Sequence, residues 1–322
     1  MITAELRQAI AAAGLDADPR LRPGPAPGSY ASPLPFRLPP STAAALAATL
    51  RREPWIAHAD ITAPGYLTVT VTPDALATLA VRIVRAGPAC AASDALRGDT
   101  VPAPSPPDLS AEPSWPSAQA ALAAHLTARL ATTAGASVSF YPERAGVPLP
   151  RPPAPPPAER SPVAEAIRYA GADQVRFALA RMPPGGTAPE AAAVARHVLA
   201  NPAYAVRYAH AAAAAVLRWA AALGRMPAGF LPRQLAEPGE LALLDALAWL
   251  PERVAVAARR GRPDEFAGYL EELAARTIDA MNTTGFARIS TISSERLWLA
   301  DAARTGLAVG LGLLEVGAPD RL

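Results

Sequence analysis

Tyr204 and Tyr208 stand four residues apart in the stretch Asn201-Pro202-Ala203-Tyr204-Ala205-Val206-Arg207-Tyr208-Ala209-His210. On a helix that spacing puts both rings on one face. Arg207, His210 and Arg218 form a polar line beside it. Aromatic faces next to cationic groups are what a protein offers to unstacked RNA bases and their phosphates. A second reading stands beside this one. Tyr204, Tyr208 and Trp219 also fall at the spacing of a core stripe, and a histidine such as His210 is more often a satisfied structural residue than a ligand contact.

Other candidates are weaker. Arg259, Arg260 and Arg262 make a charged corner that reads as a solvated loop or as a phosphate patch, and Arg51-Arg52 is similar. Tyr30 sits in a proline-rich loop from which it could face RNA. His58, His125, His197 and His210 show no i,i+4 pairing and no matched carboxylate spacing, so no metal site is expected. With no phosphate-binding glycine loop, no cofactor is expected either. Cys90 is the single cysteine, which excludes an intrachain disulfide and a cysteine metal site.

The elements that must position these residues fall in three blocks. Residues 1–87 read as α+β: helices over 3–13 and 42–52 (the second capped by Ser41), strands over 55–61 and 66–72 around a Pro64-Gly65 turn, and a helix begun by Pro73. Residues 88–160 hold 14 prolines between 101 and 160. They read as an extended linker with one helix over 117–132, and Arg151 to Pro157 is nearly polyproline. Residues 161–322 read as an all-α bundle. Its helices are expected over 162–181, 188–200, 202–223, 240–260 (kinked or divided at Pro251), 264–282 and from Ser293 or Ser294 to about 316. Phe266, Tyr269, Leu270, Leu273, Thr277 and Met281 form one apolar stripe.

Charge narrows the partners. All 30 basic residues are arginine; residues 1–160 hold 13 against 12 acidic ones and residues 161–322 hold 17 against 16. Neither half is a basic domain, so RNA affinity must come from local patches. The N-terminal residues do not resemble a signal peptide and no apolar run approaches a membrane span. A soluble cytoplasmic protein without membrane contact is expected.

Val163-Ala164-Glu165-Ala166-Ile167 through Gly171-Ala172-Asp173-Gln174-Val175-Arg176-Phe177-Ala178-Leu179 resembles the segment by which arginyl-tRNA synthetases leave their catalytic domain. The Asn-Pro-Ala-Tyr decapeptide follows at that family's usual place, and Glu271-Glu272-Leu273-Ala274 is similar to its mid-bundle helix. The ending Gly310 to Leu322 is similar to its closing sequence. Asp301-Ala302-Ala303-Arg304 is one residue from the tetrad that names the DALR anticodon-binding domain. Gly28-Ser29-Tyr30-Ala31-Ser32 and Ala63-Pro64-Gly65-Tyr66-Leu67 resemble signatures of the family's N-terminal additional domain, which touches the tRNA elbow. The resemblance implies an α+β protein: a small N-terminal α/β module, a proline-rich linker and a C-terminal anticodon-binding helix bundle. It implies a tRNA partner, arginine tRNA in the family.

The departures from the family are as informative. Only about 75 residues, 88–160, stand where the family needs a nucleotide-binding fold. Pro106 to Leu130 could be a relic of its first strand-loop-helix, but Pro113-Ser114-Trp115-Pro116-Ser117 stands where two histidines belong. With no lysine, the Lys-Met-Ser-Lys-type loop that steadies the reacting phosphate cannot exist. No catalytic residue is therefore assigned, and a non-catalytic tRNA-binding paralogue is expected. Ala205 and Ala212 replace the family's usual tyrosine and arginine, so the alternative is a protein-interaction or regulatory module with a decayed RNA face.

Overall fold

The computed structural model describes residues 1–15, 18–139, 161–283, 285–286 and 288–322; Arg151 to Pro157, the polyproline-like run, lies outside them. The chain opens with α1 (Ile2–Ala12), which buries Ile2, Leu6 and Ile10 at i, i+4 and i+8. Strands β1 (Arg22–Pro23) and β2 (Ser29–Ser32) follow, then a 3₁₀ turn over Leu34–Arg37 and α2 (Pro40–Leu50). No side chain caps α2. Pro40 starts it with its preset φ, one residue ahead of the expected Ser41.

Strands β3 (Ile56–Thr62) and β4 (Tyr66–Val71) form a hairpin, and α3 (Pro73–Ala86) is capped by the Thr72 hydroxyl on the Ala75 N–H. The sheet runs in the order β1-β2-β4-β3, antiparallel throughout. Leu67, Val69 and Val71 alternate into the core from β4 while its other residues stay half-exposed.

The described part of the second block, up to Ser139, holds two strands besides the expected helix. Strand β5 (Thr100–Pro102), helix α4 (Trp115–Thr133) and strand β6 (Ser137–Ser139) form a βαβ unit, with Val101 opposite Val138 in parallel register. A parallel pair needs such a crossover. α4 starts two residues before the expected Ser117, on a Ser114 cap.

The helical block differs from expectation twice. Residues 162–181 form two helices, α5 (Pro162–Ala170) and α6 (Ala172–Arg181), because Gly171 sits at φ +92° between them. In place of a helix over 188–200 there is only the single turn α7 (Ala191–Val194). The long helix α8 (Pro202–Ala222) then runs to a turn containing Gly224. Pro251 lies at the division between α9 (Pro238–Ala248) and α10 (Leu250–Arg260). The stripe residues of α11 (Pro263–Met281) are buried from Phe266 to Thr277. In α12 (Ser294–Leu313) Leu270 approaches so closely that a Cβ at Gly310 would displace its side chain.

These elements gather into two compact units. The first draws on residues 1–90, 213–250 and 276–306. In it α3 packs on α9, and Leu79 and Ile83 of the one and Leu243 and Leu247 of the other are all buried. The second draws on residues 91–212, 251–275 and 307–322, around Leu122, Phe177, Phe266, Leu270 and Leu311. Among the described residues no helix is long and apolar enough to cross a membrane.

Candidate nucleic-acid interface

Asn201 shapes the start of α8. Its side-chain Oδ1 accepts from the Ala203 N–H at 3.2 Å, the ordinary work of a helix cap. Its amide nitrogen donates backwards to the carbonyls of Val194, at 2.8 Å, and Arg196, at 2.7 Å. Those two bonds fold the preceding loop against the helix, which is why no regular helix persists over 188–200.

The folded loop brings His197 against α8. Its imidazole stacks on Tyr204 with centroids 5.5 Å apart and planes 11° apart. Tyr204 stacks in turn on Tyr208 at 5.9 Å and 26°. His197 is exposed, Tyr204 half-buried and Tyr208 39 % exposed. The result is a surface column of three offset rings. Sequence reasoning found the two tyrosines and missed His197, whose only signal was its place four residues before the Asn-Pro cap.

The cationic line beside the column is not free in the way its spacing implied. Arg207 is turned inward, its guanidinium 3.8 Å from the Asp173 carboxylate with 16 % of the side chain exposed. His210 is 2 % exposed. Its Nδ1 lies 3.0 Å from the Pro319 carbonyl, and since a carbonyl can only accept, Nδ1 carries the proton. His210 is thus a structural tie to the C-terminal residues, which corrects its assignment to RNA. Arg218 is half-exposed and belongs to the first unit, whereas the column belongs to the second. Trp219, read as core, is 59 % exposed, and the buried side of this part of α8 is made by Ala213, Ala214 and Ala220 instead.

Tyr30 also requires correction. It is fully buried, with its ring 5.3 Å from that of Trp249. Its hydroxyl has no hydrogen-bond partner among the described residues. Burial, and then the negative charges of Asp245 and Glu5, hold the phenol far above its ordinary pKa. An exposed ring of this module is Phe36, 57 % exposed, which meets Tyr66 edge-on at 5.2 Å. Arg259 and Arg260 lie on the surface in the second unit. Arg259 reaches the Ala95 carbonyl at 3.4 Å, and Arg260 pairs with Glu265 at 3.0 Å.

His125, left alone by sequence reasoning, is held on both sides. Its Nε2 lies 2.8 Å from Glu315 and its Nδ1 3.3 Å from the Pro104 carbonyl. The imidazole carried by α4 of the βαβ unit is therefore held at both ring nitrogens.

Residues 206–322 match the family described as the DALR anticodon binding domain. The arginine–tRNA ligase of Kineococcus radiotolerans is 46 % identical over 128 residues, 38 % of this chain and 23 % of that protein. That of Clavibacter sepedonicus is 38 % identical over 158 residues, 47 % of this chain and 28 % of that one. The solved arginyl-tRNA synthetase of Thermus thermophilus superposes with a TM-score of 0.39 at 26 % identity, over 51 % of this chain and 28 % of its own. The chain covers less than a third of each of these relatives. It is related to the arginine–tRNA ligases over part of its length and carries a DALR anticodon binding domain at residues 206–322.

Proposed function

We propose that this chain binds tRNA by its anticodon arm and does not charge it. The observation that carries this reading is the ring column of His197, Tyr204 and Tyr208, which leads directly into the anticodon-binding domain. Stacked rings with open faces hold unpaired bases irrespective of their hydrogen-bonding edges. With acidic and basic residues nearly balanced in each half of the chain, general attraction to phosphate is weak. Discrimination would then rest on unpaired loop bases, and Phe36 would offer an exposed ring of the N-terminal module to the rest of the tRNA.

The absence of lysine from the chain, the short stretch between its two blocks and the engagement of His125 with Glu315 support a non-catalytic role. Titration of the labelled protein with tRNA and with an unstructured RNA of equal length at low salt tests binding. Equal affinity for the two would sink the reading. Arginine-dependent pyrophosphate exchange tests the second half, with no exchange above background expected.

A second reading, a protein-interaction module, is favoured by one cluster in the first unit. Trp219, Leu223 and Met226 are 59 %, 57 % and 65 % exposed. Large apolar side chains grouped on a surface commonly mark a protein contact. A protein that co-purifies with the wild type and is lost with Trp219→Ser, while tRNA affinity stays the same, would favour it.

A further inference from the structure

Beside the ring column lies a cavity of about 320 Å³, within the second unit. It is bounded by α6, the turn that follows, α7 and the first residues of α8. We propose that this cavity receives one unstacked nucleobase of the RNA whose neighbouring base stacks on the column. The proposal rests on the RNA-binding reading and adds to it a specific seat for a second base.

Three observations carry it. The walls are apolar: Phe177, Met182, Val194 and Ala203 all line the cavity and all are buried. Walls of this kind take the faces of a flat heterocycle, and the volume lies at the lower end of the range for small-ligand sites. The lining offers a phosphate no net positive charge. Its one arginine, Arg181, is tied to Glu271 at 2.5 Å, and Glu190 adds a carboxylate. A neutral base suits such a lining better than a phosphate, and Glu190 can accept from a base amino group.

Continuity is the third. Ala203 lines the cavity and the next residue, Tyr204, is the middle ring of the column; Val194 lines the cavity and His197 caps the column. Asn201, which lines the cavity, also fixes both segments through its bonds to Val194, Arg196 and Ala203. Cavity and column are thus two faces of one small construction, and adjacent nucleotides can use both.

The test is an RNA stem-loop in which each loop position in turn is replaced by an abasic residue, titrated against three proteins. These are the wild type, Tyr208→Ala, and Ala193→Phe, which fills the cavity from an exposed wall position. For the wild type, at least two positions should lose about 5- to 150-fold in affinity when abasic. With Ala193→Phe one of those sensitivities should vanish, intact and abasic loops binding alike at that position. With Tyr208→Ala that sensitivity should persist while overall affinity falls.

Ala178→Phe fills the cavity from α6 and should reproduce the Ala193→Phe pattern; circular dichroism confirms that each variant folds. If filling the cavity leaves the whole abasic profile as in the wild type, the cavity takes no base and only the column reading stands. If the wild type binds no stem-loop at all, the RNA-binding reading fails and the cavity proposal falls with it.

Discussion

His197 and Tyr204 lie with ring centroids 5.5 Å apart and planes within 11° of parallel, although one belongs to a loop and the other to a helix. Neither the loop nor the helix alone would make that pair. It exists because Asn201 bonds both, so the surface column is preorganised before any RNA arrives.

Tyr204→Ala removes the middle ring and should weaken tRNA binding by about 1–3 kcal/mol, the usual worth of an aromatic stack on a base. His197→Ala removes an end ring and should weaken it by a smaller amount. Both side chains are at least partly exposed, so the helical circular dichroism should be unchanged. Fluorescence anisotropy with a labelled tRNA measures the loss; wild-type affinity in both variants would exclude the column.

His210→Ala should act on stability instead. It removes a buried imidazole together with its part-buried bond to the Pro319 carbonyl, costing about 1–3 kcal/mol in urea unfolding. The folded fraction should bind tRNA as the wild type does.

Tyr30→Phe should raise the melting temperature. The substitution keeps the ring against Trp249 and deletes a buried hydroxyl that has no partner among the described residues. An unsatisfied buried hydroxyl costs about 1–3 kcal/mol. The variant's tRNA affinity should not move, because the ring never reaches the surface.

Arg296→Met should destabilise strongly. Arg296 bonds Glu240, which is fully buried, at 2.6 Å and Glu237 at 2.8 Å. Removing the guanidinium strands a carboxylate in the interior, and such losses run to about 3–5 kcal/mol. Thermal unfolding checks it, and Glu240→Gln in the same chain should recover part of the loss.

Cys90 is buried, and burial pushes its thiol up to about 11. The folded state therefore favours the neutral thiol. That contribution is complete below the unfolded thiol's range near 9 and fades as pH rises towards 11. Alkylation at pH 8 should be slow in the native protein and fast in denaturant, followed by mass spectrometry.

Where periodicity or turn chemistry acts locally, the sequence was a sufficient guide. The β3–β4 hairpin follows from alternation around Pro64-Gly65, and α11 follows from its stripe. α8 follows from its Asn-Pro start and the glycine beyond its end. Failures came where a distant or neighbouring group overruled local preference. The alanine-rich run over 188–200 should favour helix, but Asn201 captures two of its carbonyls. Within the site, the spacing of Tyr204 and Tyr208 was readable. The inward turn of Arg207 to Asp173 and the burial of Tyr30 against Trp249 depend on partners far along the chain.

The Gly28 N–H donates to Asp245 across 217 residues, beside the Tyr30–Trp249 contact. During synthesis the first 90 residues therefore emerge long before the helix that covers them. At roughly 5–20 residues per second the delay before Trp249 appears is roughly 10–30 s. Through that interval the nascent sheet presents Tyr30 uncovered, a hydrophobic surface that chaperones are suited to shield. The helix that completes the N-terminal module is also the one that ends its vulnerability.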